Sequence, residues 1–348
     1  MNDMSIYIPS ELVSVLNKRI VILDGAIGTL IQQQGLCRAD YHGTRFRDWQ
    51  VNLTGNNDIL NLTRPDMVAD IHRQYVEAGA DIITTNTFSS QRISQSDYGL
   101  GDFSHELALA GSLIARECAD RFTRLTPDKP RFVAGSLGPT NKSCSISPDV
   151  MDPSARNITF DELSSAYKEE VVGLLSGGVD LLLFETIFDP LNCKAGLYAA
   201  QSAMDEVGIH VPVMLSVTVS DRGGHTLTGQ TLDAFLASVS HFDIFSFGLN
   251  CSFGAEQMFP FVRDISSKAP YYISVYPNAG LPNSMGGYDQ SADEMARFMS
   301  HYVESGIVNI IGGCCGTTDE YIEKFKSLIV DSKGTYKVPR SVPAPSPT

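Results

Sequence analysis

No cluster of lysine or arginine interrupts the chain's 348 residues, and acidic residues outnumber basic ones 40 to 26, for a formal net charge of -14. A field of that sign repels nucleic acid and anionic membrane, while small zwitterions remain acceptable ligands. Nowhere do about 18 uninterrupted apolar residues occur, the least that spans a bilayer. The start, M-N-D-M-S-I-Y-I-P-S, has no basic segment leading into an apolar one, so no secretion signal is read. Cysteine is sparse: seven, at 37, 118, 144, 193, 251, 314 and 315. An odd, scattered set is no disulfide framework, and a cytoplasmic location is expected, where thiols are metal ligands, nucleophiles or packing. The histidines form no H-E-x-x-H and none falls at the end of an apolar run, which argues against a His-built metal site and a Ser-His hydrolase. G-A-I-G-T (25–29) matches neither the dinucleotide nor the Walker pattern, so no phosphate loop is assigned.

What is present is ordinary globular material, 43% hydrophobic and 19% charged, in a chain long enough for a large core. Apolar, β-rich runs recur at 19–25, 80–88, 131–139, 179–186, 211–219, 244–251, 271–280 and 307–316. Helix-like segments separate them. Thr159 to Glu162, Ser291 to Glu294 and Thr317 to Glu320 fit the capping-box pattern, and glycines end several helices just before the next strand. Eight such alternations predict a single-domain (β/α)8 TIM barrel, with a doubly wound open sheet as the rival. We expect an N-terminal extension over 1–18, the barrel over 19–333, and a Pro/Ser-rich tail or interdomain linker over 334–348. Polar residues gather where the strands end, the catalytic face of such barrels, beneath long loops at 26–63, 139–159 and 220–230. The opposite face is expected to carry only glycine turns and surface charge.

Cys314 and Cys315 follow the eighth run in G-G-C-C-G-T-T. Neighbouring side chains of a strand face opposite ways, so this pair converges only if the strand has ended, and Gly312, Gly313 and Gly316 allow the turn. Cys251 ends the sixth run, and alternate strands of a barrel point inward in one layer. Three thiolates select zinc, and three protein ligands leave open the position that a catalytic zinc needs. Asn278, ending the seventh run, is placed as a weak, displaceable fourth ligand. Cys37, Cys118, Cys144 and Cys193 read as packing. A zinc carrying three thiolates is too electron-rich to split water well; holding an incoming thiol as a nucleophile suits it better.

Across the same mouth, Asp24 and Glu185 end the first and fourth runs with no basic residue beside them in sequence. A substrate ammonium is therefore expected there, the alternative being carboxylates that cap loops or pair within the barrel. Backbone N–H groups at Gly25 and Ala26, together with Ser136 in G-S-L-G-P, are expected to receive a carboxylate.

In order along the chain, D-G-A-I-G-T, G-N-N-D-I-L, A-G-A-D-I-I-T-T-N-T-F, G-S-L-G-P-T, F-E-T-I-F-D, G-L-N-C and G-G-C-C-G-T-T closely resemble the homocysteine-binding domain of cobalamin-dependent methionine synthase, over roughly residues 10–330. The resemblance implies a homocysteine S-methyltransferase in which Cys251, Cys314 and Cys315 bind zinc, with Asn278 as a ligand when substrate is absent. It implies that Asp24 and Glu185 hold the substrate amino group. It further implies that the zinc-bound homocysteine thiolate takes a methyl group from methylcobalamin, itself recharged from 5-methyltetrahydrofolate, to give methionine. Relatives that use betaine or S-methylmethionine share the barrel and cysteines, and remain alternatives, as does a zinc- and homocysteine-binding module without turnover. One departure stands out: the cobalamin-binding pattern D-x-H-x-x-G is absent, since Tyr75 follows Asp70 and His72 where glycine is required. Cobalamin- and folate-binding modules are therefore expected elsewhere, in cis or in trans.

Overall fold

Each of the eight apolar runs forms a strand of one parallel sheet: β1 (Val21–Ile22), β2 (Ile82–Thr84), β3 (Phe132–Leu137), β4 (Leu181–Ile187), β5 (Val213–Val217), β6 (Ser246–Gly254), β7 (Tyr272–Asn278) and β8 (Ile310–Ile311). The structure, a computed structural model, describes residues 8–283 and 286–342. Its sheet runs β1-β8-β7-β6-β5-β4-β3-β2. The ring closes between β1 and β2, where Leu23 bridges Ile82 and the Asp24 and Asp81 N–H groups donate to Ile82 and Ile22 carbonyls at 3.0 and 2.8 Å. This is a (β/α)8 TIM barrel, as the alternation predicts. No helix among the described residues is long and apolar enough to cross a membrane.

Helices over Pro65–Ala78, Ser104–Leu125, Phe160–Ser176, Pro190–Val207, Leu232–Val239, Ala255–Lys268, Ala292–Glu304 and Asp319–Leu328 form the outer ring, one after each strand. Thr159 and Glu162 make the full reciprocal capping box, and the Ser291 side chain accepts from the Glu294 N–H. The third expected box does not form. The last helix is preceded by Thr318 without a side-chain cap, because the Thr317 hydroxyl is engaged elsewhere: it donates to the Cys314 carbonyl at 2.7 Å and accepts from Ala26 N–H at 3.2 Å.

Strand alternation then decides where chemistry sits. Val21, Leu23, Ile82, Phe132, Ala134, Leu181, Leu183 and Met214 share one buried cluster inside the barrel, while Ile22, Ile83, Val133, Leu182 and Leu215 belong to the cluster packed with the helices. Two residues beyond the last apolar inward positions stand Thr84, Ser136, Glu185 and Ser216. The inward row thus turns from apolar to polar as it climbs toward the C-terminal mouth.

The lower end departs from the expected glycine turns. Leu12 and Leu16, from the helix Ser10–Lys18, join the interior cluster and plug it. Arg19 and Asp81 form a buried bidentate pair at 2.6 and 2.8 Å, and Asp81 also accepts from the Ile22 N–H. Arg340, buried as well, donates to the carbonyls of Ser266, Ala269 and Tyr271, satisfying oxygens at the end of the helix Ala255–Lys268.

Candidate active site

A cavity of about 860 Å³ opens at the C-terminal ends of the strands. Asp24, Gly25, Ala26, Ser136, Glu185, Cys251, Cys314 and Cys315 all line it, so eight residues singled out from sequence meet in one space. Asn278 is not among its lining residues and lies buried behind, at 3% exposure.

β8 ends at Ile311, so Cys314 and Cys315 fall in the turn that follows, as their convergence requires. The turn is tied on both sides: Cys314 N–H donates to the Pro277 carbonyl at 2.8 Å, Ala279 N–H to the Cys315 carbonyl at 2.9 Å, and Gly316 N–H to Thr29 Oγ1 at 3.0 Å. Gly316 has φ +84°, a conformation that glycine alone adopts easily. At Gly313 the constraint is space, since an added Cβ would lie 2.4 Å from Thr317 Oγ1 and 2.7 Å from its Cβ. Gly313→Ala is therefore expected to push the cysteine turn off Thr317 and destabilise the fold by about 1–3 kcal/mol, as read by urea unfolding.

Cys251 reaches the same place from β6, where the pairing with β7 slips between Cys251 and Gly254 and both Cys251 and Ser252 adopt positive φ, 57° and 58°. Ser252 Oγ secures this bulge, sitting 2.6 Å from Thr218 Oγ1 and accepting from the Val219 N–H at 2.8 Å. The three sulfurs lie within 4.8 Å of one another, with Cys251 Sγ and Cys315 Sγ 3.9 Å apart. Zn–S bonds of about 2.3 Å in a tetrahedron place sulfurs about 3.8 Å apart, so the donor set fits zinc. Asn278 Oδ1 is buried without a hydrogen-bond partner, an orphan that a metal would satisfy. Hydrogen bonds with Cys251 and Cys314 pull the Cys315 thiol down, while those with Cys251 and Cys315 push Cys314 up. The other four cysteines are free; Cys118, Cys144 and Cys193 are buried packing, whereas Cys37, expected to be packing too, is exposed.

Opposite the sulfurs, Asp24 is 2% exposed and its Oδ2 accepts from Thr84 N–H at 2.7 Å and Thr84 Oγ1 at 3.1 Å. Glu185 Oε1 accepts from Ser136 Oγ at 2.5 Å. Among the described residues neither carboxylate has an ion-pair partner. Burial pushes Asp24 well above the usual carboxylate range, and Glu185 up to about 7, with the Ser136 hydrogen bond opposing. The hydroxyl of Tyr276, buried beside Glu185 and Ser216, also opposes the rise of Glu185.

A pH dependence follows. Unfolded, Glu185 loses its proton near 4.5, while folded it keeps it to about 7, so the native state binds more protons across that window. Stability of the ligand-free protein therefore falls as pH rises from 4.5 to 7, by about 3 kcal/mol from this residue. Urea titrations should show the slope, and Glu185→Gln should remove this residue's share of it while leaving that of Asp24.

The backbone donors divide. The Ala26 N–H, expected to be open to a carboxylate, is taken by Thr317 Oγ1, while that of Gly25 has no partner among the described residues. Sequence reasoning missed Thr84, although its position two residues past Ile82 marks it as inward-facing. It also missed Thr317, whose hydroxyl binds the cysteine turn to the loop after β1. Tyr288 borders the cavity beside Cys315 from the loop after β7, and no strand-end pattern points to it.

Fold and site together define a class: barrel enzymes whose C-terminal face gathers three thiols opposite carboxylates that have no ion-pair partner among the described residues. Within that class, a sequence model of the homocysteine S-methyltransferase family matches residues 21–329, and the chain belongs to that family. It is thus a methyltransferase whose acceptor is homocysteine. Solved structures agree on the fold. The oxidised form of the homocysteine methyltransferase MmuM from Escherichia coli superposes with a TM-score of 0.70 at 22% identity, covering 91% of this chain and 98% of that one. Its metallated form gives 0.69 at 21% identity with the same coverage.

Proposed function

We propose that the chain methylates homocysteine, with Cys251, Cys314 and Cys315 as the residues that would hold a zinc and Asn278 as a weak, displaceable fourth donor to it. The observation that carries this reading is the facing of two poles across one cavity: three sulfurs within 4.8 Å of one another, and two buried carboxylates without a cation. Zinc, when bound, supplies Lewis acidity that holds the homocysteine sulfur as a thiolate near neutral pH. Asp24 and Glu185 take the α-ammonium, which supplies the positive charge that their burial demands. Gly25 N–H is open for the α-carboxylate, and Ser136 fixes Glu185 so that its second oxygen faces the ligand. Head and sulfur are thereby held at opposite ends, leaving the sulfur lone pair toward the mouth. As the new sulfur–carbon bond forms, the bond from that methyl carbon to the donor breaks, its electron pair leaving with the donor, and methionine results.

The donor we assign is methylcobalamin, ultimately recharged from 5-methyltetrahydrofolate and carried by another module in cis or in trans. An 860 Å³ cavity is far larger than one amino acid and leaves its mouth open to such a partner. The test is homocysteine consumption by the zinc-loaded protein with methylcobalamin, S-methylmethionine and betaine in parallel. Turnover with methylcobalamin alone is expected. Turnover with only an onium donor would reassign the donor, and absence of both homocysteine binding and proton release would sink the proposal.

A further inference from the structure

Between the two poles stands a side chain with no role so far. Asn250 is 0% exposed, one residue before Cys251 on β6. Its Oδ1 accepts from Ser216 Oγ at 2.7 Å and from the Thr186 N–H at 2.9 Å. Its Nδ2 donates to Thr186 Oγ1 at 2.9 Å and toward Cys314 Sγ at 3.7 Å. A backbone N–H can only donate, so the Thr186 contact fixes which end of the amide is oxygen. Two acceptor and two donor contacts use the full capacity of the group.

The partners are unusual. Thr186 follows Glu185 directly and holds φ 57°, a left-handed conformation disfavoured for a β-branched residue. The pairing of β4 with β5 slips at the same place, between Phe184 and Ile187. Such backbone persists only where surrounding contacts over-determine it, and Asn250 grips Thr186 through both backbone and side chain. Cys314, at the other end, is a sulfur of the thiol cluster. An N–H directed at a thiolate withdraws charge from it and fixes its direction, the usual work of groups behind metal ligands.

We propose that Asn250 is the positioning residue that ties the sulfur pole to the carboxylate pole, holding Cys314 with one N–H and the Glu185–Thr186 turn with its remaining bonds. This rests on the proposed reading of the cysteines as metal ligands and of Glu185 as the head-group acceptor. One residue thereby fixes the distance between the zinc and the ammonium site, and so the length of amino acid that bridges them.

The test uses cobalt(II) as a spectroscopic replacement for zinc and L-norvaline, which has the substrate's head group and a methyl in place of its thiol. Asn250→Asp keeps the acceptor contacts and loses both donors. It is expected to shift the thiolate-to-cobalt charge-transfer bands and to weaken cobalt binding about tenfold or more. Thr186→Gly tolerates the same backbone and removes the whole side chain, the hydroxyl that Asn250 binds included. It is expected to leave the cobalt bands in place while weakening norvaline, as a competitor of homocysteine, about fivefold. Asn250→Ala should do both, and if it fails to fold, the other two variants still decide. Cobalt bands and affinity in Asn250→Asp within about twofold of the parent would overturn the assignment, as would an unchanged norvaline competition in Thr186→Gly. A parent protein without thiolate-to-cobalt bands would instead overturn the metal reading of the cysteines, and this proposal with it.

Discussion

Cys314→Ser is expected to abolish metal binding and to lower homocysteine methylation roughly 10³-fold or more, the equivalent of several kcal/mol of lost Lewis-acid assistance. The serine hydroxyl is nearly isosteric, but it stays protonated at neutral pH and is a poor ligand for zinc, so the set falls to two thiolates. The barrel should survive. Cys314 packs only at the margin of the interior cluster, and the turn that carries it is held by backbone bonds to Pro277 and Asp24 that the substitution leaves alone. Cys251→Ser and Cys315→Ser should behave alike, and a double variant should lose little more than a single one, because the three sulfurs act as a unit. Zinc content per chain, turnover and urea unfolding, measured together, decide the matter. Full metal content in any single variant would remove that cysteine from the ligand set. Unfolding of all three would mean that the metal serves the fold and not the chemistry.

The difference between what the sequence carries and what it hides has a physical source. Strands buried on both faces read as continuous apolar runs, and each of the eight was visible, as were the polar residues at their ends. Cys251, Cys314 and Cys315 were legible as a group because barrel symmetry places alternate strand ends in one layer, without any need to know a side-chain torsion. Asp24 and Glu185 were legible for the same reason. Contacts between a loop and a distant turn were not. Thr317 looked like the start of a capping box, since T-T-D-E satisfies the local pattern; in the fold its hydroxyl is claimed by Cys314 and Ala26, the latter 291 residues away in the chain. The positive φ of Thr186, Cys251 and Ser252 was invisible as well, because the residue types that signal such backbone are glycine and asparagine, and none stands there. Likewise the buried Arg19–Asp81 pair and the Arg340 anchor turned a face that promised only turns into a sealed floor.

Asp24→Asn should separate stability from function by moving them in opposite directions. In the ligand-free protein the Asp24 carboxyl is held by Thr84 and, among the described residues, by no cation, and burial keeps its proton bound well above the usual range. The unfolded chain releases that proton near 3.8, so this residue lowers stability progressively as pH rises above that value. Asparagine keeps an oxygen for the Thr84 N–H and carries no ionisable proton. The variant is thus expected to match the parent near pH 4 and to exceed its stability at pH 7, by urea unfolding at the two values. Homocysteine binding should fail in the other direction. Removing one member of a buried charge pair costs about 2–5 kcal/mol, or roughly 30- to 5,000-fold in affinity. Because the ammonium lies remote from the sulfur, its contacts are made equally before and during methyl transfer, so the loss should appear in KM with kcat nearly kept. The cysteine variants, by contrast, should lose kcat. If Asp24→Asn left KM for homocysteine unchanged, the ammonium would have to be placed elsewhere in the cavity, and Asp24 would be a strut for Thr84 alone.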